Sequence, residues 1–145
     1  MNARVSVAGF TLLELLMVIA LMAVALGVLG VGLSRGLDAS RDRQALREIV
    51  AALRQTRTQA VLSGAPLQLR FDLPKRSFQA PGQDPRHWPG NLAVQLTTAE
   101  ALGPAVAFFP DGSSSGGHLL VERAGQRWRI DVGWLNGNVR WQAVQ

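Results

Sequence analysis

The chain has 145 residues, 48% of them apolar and 17% charged, so it is neither disordered nor highly solvated, and it has room for one modest core rather than two large ones. There is no Cys and there are only two His, which excludes disulfide scaffolds, thiol nucleophiles, Cys-ligated zinc and multi-histidine metal sites. Fourteen Arg and one Lys stand against ten acids, a net charge of +5 that permits an anionic partner without requiring one.

The charge is unevenly spread. Phe10 to Leu33 holds one charge in 24 residues, Glu14, and apart from Arg4 every other charge lies from Arg35 onward. As a helix rising about 1.5 Å per residue, this stretch covers roughly 36 Å, enough for a hydrocarbon core of about 30 Å. A secretory signal is the rival reading. Its apolar region is usually only about 7–15 residues long. Cleavage at the one Ala-x-Ala match, Ala23-Val24-Ala25, would also leave a greasy new terminus, Leu26-Gly27-Val28-Leu29.

Glu14 is the odd residue in this run. A carboxylate inside a span costs about 2.5–3.5 kcal/mol on insertion scales. No basic residue lies within a helical turn or two of it. Either it sits near the interface and snorkels toward headgroups, or it meets a specific partner. The residues alone favour neither.

Gly9-Phe10-Thr11-Leu12-Leu13-Glu14-Leu15-Leu16 resembles the processing site of type IV pilins and type II secretion pseudopilins. A short leader ends in Gly, Phe follows, Glu comes four residues later, and the apolar helix continues unbroken. The resemblance implies a leader of residues 1–9, cut by a membrane prepilin peptidase between Gly9 and Phe10, with N-methylation of Phe10. It further implies that Glu14 pairs with the terminal amine of a neighbouring subunit during filament assembly. The new α-amine has a reference pKa near 7.7–8.0 and stays cationic when methylated, so two uncompensated charges in lipid become one neutralised pair. This chain departs from many family leaders in having Ala8, not a basic residue, before Gly9. Arg35, Arg41, Arg43 and Arg47 outnumber Arg4, so a count of positive charges would place the C-terminal part in the cytoplasm. The resemblance places it outside the inner membrane, with the N-terminus cytoplasmic and a single pass between.

Residues 10–33 are therefore expected to form the transmembrane and assembly helix, and 34–63 an amphipathic periplasmic continuation. Leu46, Ile49, Val50, Leu53, Ala60 and Val61 recur at three-and-four spacing on one face. Arg41, Arg43, Arg54 and Arg57 fall mainly outside that stripe, as a solvated face or a contact for anionic lipid or acidic subunits. Gly27, Gly30, Gly32 and Gly36 either soften the helix or allow close packing through Gly32-x-x-x-Gly36. Gly64 and Pro66 stop it.

From residue 64 to 145 the pattern is β-rich. Leu67, Leu69, Phe71 and Leu73 alternate with polar residues as a half-buried strand, and Ser77 to Gln79 follows after the Pro74-Lys75 turn. Ala80 to Gly90, with three Pro and two Gly, reads as loop. Leu92–Leu96 and Ala105–Phe109 are further strands, Leu119–Arg123 and Arg127–Val132 form a hairpin, and Asn136-Gly137 is a turn. With no second helix, antiparallel sheets packed face to face are expected. The run from Phe109-Pro110-Asp111-Gly112 through Gly117, with the hairpin and final turn, resembles the GspH/FimT-type minor pilin domain. It implies an α+β fold, a long N-terminal helix packed on a small antiparallel β-sandwich. The nearest members are the H-type minor pseudopilins, at the tip of a short periplasmic pseudopilus that exports folded proteins. The implied partners are the prepilin peptidase, other major and minor pseudopilins, the inner-membrane secretion platform and the lipid bilayer.

No enzyme is expected and no cofactor. Ser113–Ser115 near His118 lack an oriented base, and serines between glycines are ordinary turn residues. The alternative is a FimT-like minor pilin that takes up DNA, with Arg127, Arg129, Arg140 and Trp141 as candidate contacts, and Arg123 as added charge. Against it, Arg127 and Arg129 share a strand face that needs polar residues for solubility, and no basic tail follows.

Overall fold

The computed structural model describes residues 11–144, with side chains for all of them except 28–39. The chain divides into two compact units, Met1–Ser40 and Arg41–Gln145. One helix, α1, runs Leu12–Ser63 over 52 residues and contributes to both.

In the first unit every described side chain from Thr11 to Gly27 is exposed, leucines included. A helix that is apolar all round cannot be satisfied by covering one face. Among the described residues no helix is long and apolar enough to cross a membrane. The expected span begins at Phe10, outside the described residues, and continues past Gly27 into positions whose side chains are not described. The expected leader, residues 1–9, also lies outside them.

In the second unit the helix does become one-sided. Leu46, Ile49 and Leu53 are fully buried, with Ala45, Val50, Ala52 and Ala60 around them. Burying a residue of this kind stabilises by about 1.5–3 kcal/mol relative to leaving it exposed. Val61, expected on the same stripe, is instead 45% exposed. The apolar face ends with Ala60, one turn before Gly64 takes φ +64° and stops the helix. Thr56 sits in the core with its hydroxyl donating to the Ala52 carbonyl at 2.8 Å, so no polar atom is stranded.

Eight strands follow: β1 (Leu67–Asp72), β2 (Ser77–Gln79), β3 (Arg86–His87), β4 (Ala93–Thr97), β5 (Ala105–Phe108), β6 (Gly117–Arg123), β7 (Gln126–Val132) and β8 (Val139–Val144). They form two antiparallel four-stranded sheets, ordered β3-β2-β1-β5 and β4-β6-β7-β8. The β6–β7 connection is tighter than expected. Ala124 and Gly125 alone make it, with φ of 47° and 81°, the left-handed pair that a two-residue hairpin turn requires. Ala80 to Gly90 is not wholly loop. Arg86–His87 adds a short edge strand, and Trp88 is buried with its ring stacked on Phe78 at 6.5 Å. Where no second helix was expected, Glu100–Leu102 forms one 3₁₀ turn.

The buried residues of the helix and of both sheets form a single apolar cluster. The helix thus supplies a face to each sheet, and the fold is α+β. Leu69, Phe71, Val106 and Phe108 come from the first sheet, and Leu119, Val121, Ile130 and Val132 from the second. All four residues of β5 are buried, marking it as the strand where the sheets are joined.

Candidate functional site

The joint between the sheets is built by the serine-rich loop. Ser114 bridges to Phe108, its N–H donates to the Trp134 carbonyl at 2.9 Å, and its hydroxyl donates to the Gly133 carbonyl at 3.0 Å. The Ser115 N–H donates to the Ala107 carbonyl at 2.9 Å, and its hydroxyl accepts from the Ala107 N–H at 3.1 Å. These serines spend their hydrogen bonds stitching β5 to the turn after β7.

The helix locks the same region. Arg57 Nε donates to the Gly112 carbonyl at 3.0 Å, and Arg54 Nη2 donates to the Val139 carbonyl at 3.1 Å. Arg54 and Arg57 are therefore tertiary tethers rather than simply a solvated face. The reason is geometric. At Gly137, φ is +59°, and a Cβ would lie 2.4 Å from the Gly112 carbonyl and 2.8 Å from Arg57 Nε. Only glycine lets the three chain segments come so close.

Asp111 shapes the loop beside this junction. Its Oδ1 accepts from the Ser113 hydroxyl at 2.6 Å and from the Ser113 N–H at 2.9 Å. The hydroxyl bond first, then the backbone bond, hold its carboxyl below the usual 3.8. A carboxyl lowered on folding contributes stability that is complete above 3.8 and fades as pH falls through the folded-state value. The deficit of Asp111→Asn relative to wild type should accordingly be full at neutral pH and shrink as pH falls through that value, because wild type loses the same contribution there. A circular-dichroism pH titration of both proteins checks this.

A buried ion pair closes the other end of the helix segment. Asp42, 4% exposed in its side chain, pairs with Arg123 at the end of β6. The second oxygen of Asp42, Oδ1, is buried with no hydrogen-bond partner among the described residues. Arg123 is thus not spare charge for an outside ligand.

The candidate nucleic-acid contacts are dispersed. Strand register places Arg127, Arg129 and Asp131 on one face of β7, with Arg140 opposite Asp131. Trp141 lies opposite Ile130 yet stays 40% exposed, and strand alternation puts Arg140 and Trp141 on opposite faces of the sheet. Arg129 Nε bonds Asp131 Oδ1 at 2.7 Å, and Arg127 lies opposite Glu122. This outer face interleaves both signs and presents no basic groove.

At the N-terminal end Gly9 and Phe10 lie outside the described residues. Glu14 is exposed in the first helical turn. Its N–H donates to Thr11 Oγ1 at 3.3 Å. Thr11-Leu12-Leu13-Glu14 is a capping-box pattern, and Thr11 satisfies one of the helix's orphan donors. The Thr-x-x-Glu spacing at the head of an apolar run is a signal that the linear sequence carries.

The family model for the type II transport protein GspH matches residues 45–136, more than half of the chain. Type II secretion system protein H of Xanthomonas campestris pv. campestris is 41% identical over 137 residues, covering 91% of this chain and 81% of that protein. The chain belongs to the GspH family. A second model, the prokaryotic N-terminal methylation motif, matches residues 4–30 of this GspH-family chain, a range that includes Gly9, Phe10 and Glu14. Among solved structures, the minor pseudopilin EpsH of the Vibrio cholerae type 2 secretion system aligns with TM-score 0.59 at 18% identity, over 71% of this chain and 97% of that one. The type IV minor pilin FimU of Pseudomonas aeruginosa aligns with TM-score 0.57 at 13% identity, over 74% and 96%. At such identities the likeness is one of fold alone.

Proposed function

We propose that this chain is a minor pseudopilin of a type II secretion system, a structural subunit near the tip of the pseudopilus and not an enzyme. The observation that carries this reading is the conjunction, in one chain, of a methylation motif over 4–30 and a GspH domain over 45–136. Before assembly the chain is a single-pass inner-membrane protein with its C-terminal domain in the periplasm. Prepilin peptidase cuts between Gly9 and Phe10 and methylates Phe10. Assembly with other pseudopilins on the inner-membrane platform then draws the subunit out of the bilayer.

Glu14 is the recognition group in this reading. It lies one helical turn beyond the new terminus, on a segment whose other described side chains offer almost nothing but hydrocarbon. A carboxylate there is costly alone and favourable once it meets a neighbour's terminal ammonium, since removing one member of a buried pair leaves the other uncompensated by several kcal/mol. The nucleic-acid alternative has no support in the interleaved charges of β7 and β8.

Mass spectrometry of the native protein should find a methylated Phe10 as the first residue, and a chain retaining Gly9 would sink the processing scheme. Glu14→Ala should be cleaved like wild type yet enter filaments at least about a hundredfold less, given a loss of about 3 kcal/mol or more. Equal incorporation of mutant and wild type would remove the pairing role. Gly9→Val should accumulate uncut.

A further inference from the structure

The two exposed polar faces of the second unit handle charge in opposite ways. On the outer face of β6, β7 and β8, Arg127 and Arg140 lie opposite Glu122 and Asp131 in the strand register, and Arg129 pairs with Asp131. Among the described residues of the helix, one stripe of the exposed face carries cations with no acid interleaved. At about 100° per residue, Arg43, Arg47 and Arg54 fall within roughly 40° of one another, along about 16 Å of the axis. All three are exposed, and among the described residues Arg43 and Arg47 have no ion-pair partner. Two acids of this segment are described, and neither lies on the stripe. Asp42 is buried against Arg123, and Glu48, on the flank, accepts a hydrogen bond from Gln44 at 3.0 Å. The Arg54 guanidinium keeps its full charge while donating to a neutral carbonyl. Beside the arginines, toward the middle of the exposed face, the surface is low and uncharged, with Ala51, Gln55 and Thr58 exposed.

We infer that this arginine stripe is a docking surface for an acidic helix of a different pseudopilin subunit. The inference rests on the assembly role proposed above and deepens it by naming the partner's chemistry. The stripe is linear, matching a second rod with carboxylates spaced along it. Ala51 lets such a rod approach closely. A second copy of this chain is a poor occupant, because it brings the same cations to the contact. A lipid surface is also disfavoured. Interfacial helices insert an apolar face, and here that face is already buried in the core. A stripe that repels its own copies and accepts an acidic neighbour suits a subunit used sparingly beside unlike ones.

The test uses the full chain, purified in a neutral detergent and mixed with each of the other purified pseudopilins of the same secretion system. Wild type should bind one of them, about tenfold more weakly in Arg43→Glu/Arg47→Glu and less weakened in Arg43→Gln/Arg47→Gln. Binding should fall as salt rises, and reversing acids on the partner's helix to Arg should restore binding to the double Glu variant. If wild type and both variants bind equally, the surface is wrong while the assembly role stands. Should wild type bind no pseudopilin, the assembly role fails and the docking surface with it. A complex that forms only after phosphatidylglycerol is added assigns the stripe to lipid and overturns the proposal.

Discussion

Gly137→Ala should destabilise the C-terminal unit by about 2–4 kcal/mol, the sum of a left-handed residue acquiring a side chain and of overpacking. The new methyl would press on the Gly112 carbonyl at 2.4 Å and on Arg57 Nε and Cδ at 2.8 and 2.9 Å. Neither neighbour can give easily. The carbonyl is backbone, and it accepts the Arg57 Nε hydrogen bond at 3.0 Å. Moving Arg57 would break that bond and open the junction of helix, loop and final turn. Gly125→Ala is the matched control. Gly125 also has a positive φ, +81°, but nothing lies within 4 Å of its Cβ position. It should cost only the conformational part, about 1–2 kcal/mol. Urea unfolding of the detergent-purified chain measures both. Equal losses would mean that the junction is not sterically tight.

Arg123→Ala should cost about 3 kcal/mol, because it leaves the Asp42 carboxylate buried without its cation. The side chains are 22% and 4% exposed, so water replaces the lost partner poorly. The pair itself is not a net source of stability, since desolvation of two charges offsets most of their attraction. It follows that the double substitution Asp42→Leu/Arg123→Met should recover most of the loss. Unfolding midpoints of the single and double variants decide the matter. A single variant as stable as wild type would show that Asp42 is solvated or neutralised by another route. The pair fixes where the end of β6 meets the helix, so its effect should be confined to the second unit.

The strands were legible wherever the period was two and the turn residues were specific. Leu67 to Phe71 alternates cleanly, and β1 falls there; the glycine of the β6–β7 turn marked the hairpin. Arg86–His87 was not legible, because the three residues between Pro85 and Pro89 are too few to carry a period. Its place is decided by pairing with Ser77 and Phe78 and by Trp88 entering the core. Val61 looked like core from spacing alone. Periodicity reports the phase of a face but not where its cover ends.

The site divides along the same line. The proposed processing and pairing residues, Gly9, Phe10 and Glu14, need no fold to be singled out, because the motif is contiguous and a lone carboxylate in an apolar run conflicts with its solvent. The family membership follows from the same linear information. The roles of Arg54, Arg57, Arg123 and Arg129 could not be read in that way. All four are cations in polar contexts, and only the folded chain sends the first two to carbonyls and the others to Asp42 and Asp131. Sequence determines which charges exist and how apolar the helix is; tertiary structure decides which of those charges are matched. Pairing depends on distances of a few ångströms between residues as far apart as Arg54 and Val139, and linear spacing carries no information at that range.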